Sequence, residues 1–189
     1  MAKYDPNIHH RRSIRLKGYD YSQAGLYFIT ICTQNRECLF GHITNGEMIL
    51  NDAGKMVETE WLNLKTRFPN IELHEYVVMP NHFHGILEIV GAALVAAQSA
   101  QSQTEKDKGQ PQGIAPTKTV GDMMDAFKSI TTVEYIRGVK NSGWQPFDGK
   151  LWQRNYYEHI IRNEKSYETI SEYILNNPAK WQDDKFYDE

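Results

Sequence analysis

From position 71 the chain alternates apolar and polar residues, Ile71-Glu72-Leu73-His74, and then runs apolar through Tyr76-Val77-Val78-Met79 to Pro80-Asn81. A period of two in a β-prone run predicts a strand, and the Pro-Asn pair predicts a turn. A second strand is predicted to start directly after it, over His82-Phe83-His84-Gly85-Ile86-Leu87-Glu88-Ile89-Val90. Upstream, the apolar run 25–33 predicts a first strand, and Glu47-Met48-Ile49-Leu50 a short one behind an Asn45-Gly46 hairpin turn. Asn51 or Asp52 can cap a helix expected to reach about Arg67, with Met56, Trp61, Leu62 and Leu64 supplying its apolar surface. A second helix is expected over roughly 120–135, followed by an extended segment around Trp152 in which alternate residues face inward. Tyr167, Ile170 and Ile174 then recur at helical spacing behind Asn163, a candidate N-cap, with Glu164 in the first turn and Pro178 as the stop. Asn177 precedes that proline, which disfavours α geometry, so the helix is expected to fray there. Two helices against an antiparallel sheet predict an α+β fold with a ferredoxin-like core. There is no internal repeat of fixed period.

The pattern lapses once. After Val95 the chain has few large apolar residues and is rich in Ala, Gln, Ser and Gly. Such a stretch cannot bury enough apolar surface to order itself. A flexible insert is therefore expected over 91–118, within a single domain spanning 1–189. A length of 189 residues, 40% of them hydrophobic and 24% charged, suits one soluble domain with a buried core. No apolar run is long enough to cross a bilayer, and the polar, basic start has no apolar h-region; a cytoplasmic protein without a membrane partner is expected. Cys32 and Cys38 are too few and too badly spaced for a disulfide scaffold or a C-x-x-C zinc site. Cys32, inside an apolar strand, reads as reduced core.

A net charge of -3 argues against a generic, charge-driven nucleic-acid binder. The charges are unevenly placed, however. Arg11, Arg12, Arg15 and Lys17 concentrate base near the start, whereas Asp183, Asp184, Asp188 and Glu189 make the end acidic. The basic cluster is either a solvated tail or a grip on phosphates.

The chemistry-bearing residues fall in two places. His82 and His84 are two apart on a predicted strand, so both imidazoles leave one face while Phe83 points to the core. They are either ordinary strand histidines or a metal-binding pair of the kind found in zinc enzymes of several folds. On the last helix Tyr173 and Asn177 are four apart and project from nearly the same side. They offer a phenol nucleophile and a neutral oxygen ligand, or a half-buried tyrosine and a helix C-cap.

Together, Val77-Val78-Met79-Pro80-Asn81-His82-Phe83-His84-Gly85-Ile86, the 151–164 segment beginning Leu151-Trp152-Gln153-Arg154, and Tyr173-Ile174-Leu175-Asn176-Asn177-Pro178 resemble the single-tyrosine HUH transposases. Within that class they resemble the REP-associated tyrosine transposases, from about Arg11 to Pro178 with one insert. The resemblance implies a metal-dependent single-stranded DNA endonuclease and strand transferase that acts on hairpin-forming repeats. It makes His82, His84 and Asn177 the metal ligands and Tyr173 the nucleophile. Many related transposases carry glutamine at the helix ligand position, and Asn177 is one methylene shorter.

That chemistry suits these residue types. A free tyrosine has a pKa of ~10, so it needs help to ionise and to approach an electron-rich phosphate. Two imidazoles and an amide oxygen form a neutral, open site suited to Mg²⁺ or Mn²⁺, whereas a closed zinc site needs a fourth protein ligand. No nucleotide cofactor is required, because a 5′-phosphotyrosine link retains the bond energy for transfer. Candidate DNA contacts are Arg11, Arg12, Arg15, Lys17, Trp152, Arg154 and Tyr157, with Arg36, Lys128, Arg162 and Tyr156 as further candidates; the tyrosines offer faces for unpaired bases. The partner expected is a single-stranded DNA hairpin, and the resemblance favours a monomer over a dimer. Two other readings stay open: a catalytically idle hairpin-binding protein, and a zinc hydrolase built on the histidine pair.

Overall fold

A computed structural model describes residues 18–90 and 118–187. The elements in chain order are β1 (Gly25–Cys32), β2 (Gly41–Thr44), β3 (Glu47–Leu50), α1 (Asp52–Leu62), α2 (Leu64–Arg67), β4 (Ile71–Val78), β5 (His82–Ile89), α3 (Val120–Ser142), β6 (Tyr157–Ile161) and α4 (Glu164–Asn176). A four-stranded sheet runs in the order β4-β5-β1-β6, antiparallel throughout. Setting aside the β2-β3 hairpin, this is the ferredoxin-like arrangement, with the first strand between the third and fourth. The hairpin turns on Asn45 and Gly46, both at positive φ (54° and 78°), the left-handed pair a two-residue turn requires.

Strand alternation assigns the two faces. Tyr27, Ile29 and Ile31 of β1 and Phe83, Leu87 and Ile89 of β5 enter the main core with Val57 and Trp61 of α1 and Met124, Phe127 and Tyr135 of α3. Phe83 is clamped from both helices, its ring 4.6 Å from that of Trp61 and 5.5 Å from that of Phe127. Gly85 permits the approach of α1: a Cβ there would lie 2.8 Å from Trp61 and 2.9 Å from Phe83. The opposite face carries α4, whose Tyr167, Ile170 and Ile174 pack with Phe28, Ile86 and Ile161.

Several elements differ from the sequence-based expectation. Asn51 is the cap of α1, its Oδ1 accepting from Gly54 N at 2.9 Å, but the helix breaks after Leu62 and that side chain is exposed. α3 continues to Ser142. It passes through Gly138, where the Trp144 ring leaves no room for a Cβ, and ends at Gly143, a left-handed C-cap. Around Trp152 there is an isolated bridge to Thr33, not a strand. Asn177 keeps α geometry (φ -58°, ψ -43°) and does not fray; Pro178 opens a 3-10 turn over Pro178–Asp183, a position where its missing N–H is not needed. The insert expected over 91–118 lies outside the described residues except for Lys118. Among the described residues no helix is long and apolar enough to cross a membrane.

Candidate metal and nucleophile site

β5 is paired on both sides, with His84 opposite Thr30 of β1 and Val77 of β4, so the backbone beneath the histidines is held rigidly. His82 and His84 are fully buried, and their Nε2 atoms face each other at 3.0 Å. The outer nitrogens are tied down. Asn81 donates its Nδ2 to the carbonyls of Arg36 and Phe186, which turns its Oδ1 toward His82 Nδ1 at 2.8 Å. That contact places the ring proton on Nδ1 and leaves the His82 Nε2 lone pair free. His84 Nδ1 lies 2.8 Å from Thr30 Oγ1, a hydroxyl that can accept from it and free the second Nε2. Burial lowers the His82 pKa to about 4 against a smaller opposing effect of Asp184. Burial, then its neighbour His82, holds His84 well below the usual imidazole range. Both rings are neutral at pH 7, the state in which imidazole ligates.

α4 brings in the next two residues. Its start is fixed by Asn163, whose Oδ1 accepts from Ser166 N at 2.9 Å, and its apolar stripe fixes its roll. Tyr173 then lies across the sheet with its hydroxyl 3.2 Å from His84 Nε2. One helical turn on, Asn177 is buried; its Nδ2 donates to Asp184 Oδ2 at 2.7 Å, while its Oδ1 has no hydrogen-bond partner. An orphaned buried carbonyl oxygen is costly and marks a place for a cation or donor. The Tyr173 phenol is pushed up to about 12, first by burial and then by the Asp184 charge, with the Asn177 amide acting the other way. In this state the Tyr173 hydroxyl is held protonated.

Asp184 is the site residue the sequence reading missed. Its carboxylate, His82 and His84 each offer a ligand atom, all within 4.8 Å of one another, and its Oδ2 lies 3.4 Å from the Tyr173 hydroxyl. The residue follows the 3-10 turn in an acidic, aperiodic stretch, so no pattern signalled where it would fold. Phe186 closes over the pair, its ring 4.7 Å from that of His82, and Arg36 Nη1 donates to the Lys185 carbonyl at 3.3 Å.

Of the sequence-based DNA contacts, Arg11, Arg12, Arg15 and Lys17 lie outside the described residues. Trp152 is buried against Phe40 and Phe127, with its Nε1 donating to Thr131; its ring is core and not surface. Arg154 and Tyr157 are exposed. Lys128 spends its amine on the carbonyls of Gln153 and Arg154 at 2.7 and 2.9 Å, and so shapes the loop that presents Arg154. Cys32 is half-buried and its thiol is pushed up to about 11 by burial, which leaves it an inert neighbour of the site.

The donor set fits a divalent ion. The two Nε2 atoms stand 3.0 Å apart, close enough for one ion to engage both. A carboxylate and an orphaned amide oxygen stand beside them. Asn81 and Thr30 supply outer hydrogen bonds to the two rings, of the kind that orient imidazoles in metal sites.

The order of the four-stranded sheet and the helices packed on it are shared with a solved transposase structure. A solved structure of the REP-associated tyrosine transposase bound to a REP hairpin matches with a TM-score of 0.51 at 22% identity, covering 96% of this chain and 74% of that one. In sequence, a Haemophilus influenzae protein described as "Putative REP-associated tyrosine transposase" is 25% identical over 161 residues, 85% of this chain and 74% of its own. An uncharacterized protein of the same organism is 49% identical over 190 residues, 98% of each chain. No family model matches. The chain belongs to one family with that 49% identical protein, and its resemblance to the REP-associated tyrosine transposases holds in both sequence and fold.

Proposed function

We propose that the chain is a metal-dependent endonuclease and strand transferase for single-stranded, hairpin-forming DNA, with Tyr173 as nucleophile. The observation that carries this reading is the Tyr173 hydroxyl 3.2 Å from His84 Nε2, beside a second imidazole and an orphaned Asn177 oxygen. A core histidine pair and a surface tyrosine would have no reason to converge in this way. The sequence likeness and the shared fold support it.

In the proposed reaction the Tyr173 oxygen attacks the scissile phosphorus, the bond to the 3′-oxygen breaks, and the products are a 5′-phosphotyrosine and a 3′-hydroxyl. The 3′-hydroxyl of another strand reverses the step and completes transfer. With the His84 Nε2 lone pair given to a metal ion, the phenol proton passes to Asp184 Oδ2, 3.4 Å from the hydroxyl. Mg²⁺ or Mn²⁺ held by His82, His84 and Asn177, with Asp184 as a further carboxylate, would neutralise and polarise a non-bridging phosphate oxygen. Arg154, Tyr157 and the basic 11–17 stretch would grip the hairpin and its single-stranded flank. A zinc hydrolase would need no tyrosine at the pair, and an idle hairpin binder would need no ligand cluster.

The deciding experiment incubates the protein with hairpin oligonucleotides and Mn²⁺ and resolves the products on a denaturing gel. Wild type is expected to form a DNA adduct that Tyr173→Phe cannot form, while the variant still binds the hairpin. An adduct mapped to Tyr156 or Tyr157, or undiminished cleavage in excess chelator, would overturn the assignment.

A further inference from the structure

Away from the histidine pair, the N-terminal half of α4 meets β4 and β5 through a continuous line of polar side chains. His74 of β4 stands at its centre. Its Nε2 lies 3.0 Å from Glu88 Oε2 on β5, and its Nδ1 lies 3.1 Å from the Tyr167 hydroxyl on α4. That hydroxyl lies 2.8 Å from Glu75 Oε2, which also accepts from Ser171 Oγ at 3.2 Å. Neighbours on a strand ordinarily face opposite ways; the bulge between Leu73 and Tyr76 lets His74 and Glu75 both turn to α4. The line thus runs from the sheet into the helix that carries Tyr173 and Asn177.

With a neutral imidazole the line is one proton short. Ser171 brings the proton for its own contact. The other contacts, Glu88 to His74, His74 to Tyr167 and Tyr167 to Glu75, need three protons, whereas a neutral imidazole and a phenol together hold two. Wherever the two are placed, one pair of acceptors is left facing lone pair to lone pair. Glu75 does not supply the missing proton: against the push of burial, its hydrogen bonds, that of Tyr167 foremost, hold its carboxyl below the usual range. A second proton on His74 satisfies all three contacts. The surrounding charge favours that state, because Glu72 and Glu88 stand directly opposite in register, an arrangement in which like charges repel. Lys65 of α2 pairs with Glu72, and His74 is the group set against Glu88. Arg162 and Glu164, of opposite sign, stand with them around an open pocket of about 540 Å³ that exposes His74, Glu88 and Tyr167 to solvent. The proton has a way in.

We infer that His74 is a proton-sensitive positioning residue: one proton taken from solvent closes the line from Glu88 to Glu75 and clamps α4 on the sheet, and its release loosens the helix that presents Tyr173. The sign follows from the count. The clamp is present at lower pH and is lost as pH rises, the reverse of the dependence set by burial of the histidine pair. Its consequence for cleavage rests on the transposase reading, whereas the clamp itself does not. Tyr167 and Tyr173 are six residues apart on one helix, a rise of roughly 9 Å, so a shift in the seat of the first ring carries over to the second. The apolar stripe of α4 packs on the sheet through Ile170 and Ile174 as well as Tyr167. The helix therefore stays docked in either state, and the proton changes its seat and not the fold.

The test follows amide hydrogen exchange of α4 in the full-length chain at pH 6 and pH 8, with protection expressed relative to β1. Across that range the reaction site holds still, because His82 lies at about 4 and the Tyr173 phenol at about 12. Wild type should lose about tenfold in α4 protection between the two, the scale of one hydrogen bond to a charged group. Tyr167→Phe keeps the ring but removes the link, and His74→Gln cannot titrate; both should stay flat. Wild-type protection that does not change, or that changes equally in both variants, overturns the inference. Single-turnover cleavage of a hairpin oligonucleotide with Mn²⁺ gives the second readout, in which the wild-type rate divided by that of His74→Gln should fall about tenfold over the same range. A constant ratio overturns the positioning role. No cleavage by any of the proteins, with the α4 response intact, would sink the transposase reading and leave the clamp standing. Cleavage with α4 protection alike in all three would do the reverse.

Discussion

Asn81 and Thr30 make the difference between two histidines on a strand and a pair ready to ligate. By engaging the outer nitrogens they turn both Nε2 lone pairs onto one point. Keeping those rings neutral and buried has a cost that depends on pH. His82 has a folded pKa of about 4 against the ordinary 6.5, so in between the unfolded chain binds a proton that the folded chain refuses. The stability is complete above pH 6.5 and is lost as pH falls toward 4. Denaturant midpoints measured from pH 7 to 4.5 should therefore drop in the wild type and drop less in His82→Gln; parallel curves would refute the burial argument. Asn177 makes a second residue-level claim. If its orphaned oxygen is a ligand, Asn177→Ala should weaken cleavage and metal dependence together, with part of the rate restored at higher Mn²⁺. If it merely completes the helix end, the variant should lose about 1 kcal/mol or less of stability and titrate with metal as the wild type does.

At the level of elements, the site depends on β5 and α4 being pressed together from opposite sides. α1 bears on β5 through Trp61 and Phe83, and Gly85 is the gap that lets Trp61 come so close. Gly85→Ala must displace the Trp61 ring or bend the strand beside His84. Such overpacking costs typically about 1–3 kcal/mol, and urea unfolding should show a loss in that range. A loss under about 0.5 kcal/mol would mean that the Trp61 contact is soft. α4 is held in turn by a polar cluster at its N-terminal half, where the Tyr167 hydroxyl donates to Glu75 at 2.8 Å and Glu75 also accepts from Ser171. The hydrogen bonds keep the Glu75 carboxyl below its usual range against the opposing push of burial.

For the molecule as a whole, the candidate ligand set joins three distant parts of the chain: β5, the end of α4, and Asp184 beyond the last 3-10 turn. An ion that binds only this assembled set stabilises the fold by mass action, by about 2.7 kcal/mol at a hundredfold excess over its dissociation constant. Mn²⁺ should therefore raise the melting temperature of the wild type in proportion to the logarithm of its concentration. His84→Ala should abolish that rise, and calorimetry with and without chelator would measure both. A wild-type melting temperature indifferent to Mn²⁺ and Mg²⁺ would remove the metal from the site.

Local pattern in the sequence determined much of this protein. Strand alternation placed Phe83 in the core with His82 and His84 together on the other face, and the Asn163 cap with the 167, 170, 174 stripe placed α4; these are short-range rules set by backbone periodicity. The same rules made Tyr173 and Asn177 neighbours. They failed where a distant contact overruled the local preference. α3 ran on to a left-handed cap at Gly143 and Asn177 held α geometry against the following proline, whereas the burial of Trp152 agrees with strand alternation and overturns only its place among the candidate DNA contacts. Only the tertiary structure could decide that Tyr173 meets His84, that Asp184 returns to the pair, and that His74 stands between Glu88 and Tyr167. Those meetings join residues far apart in sequence, and the packing that sets their distances leaves no periodic trace along the chain.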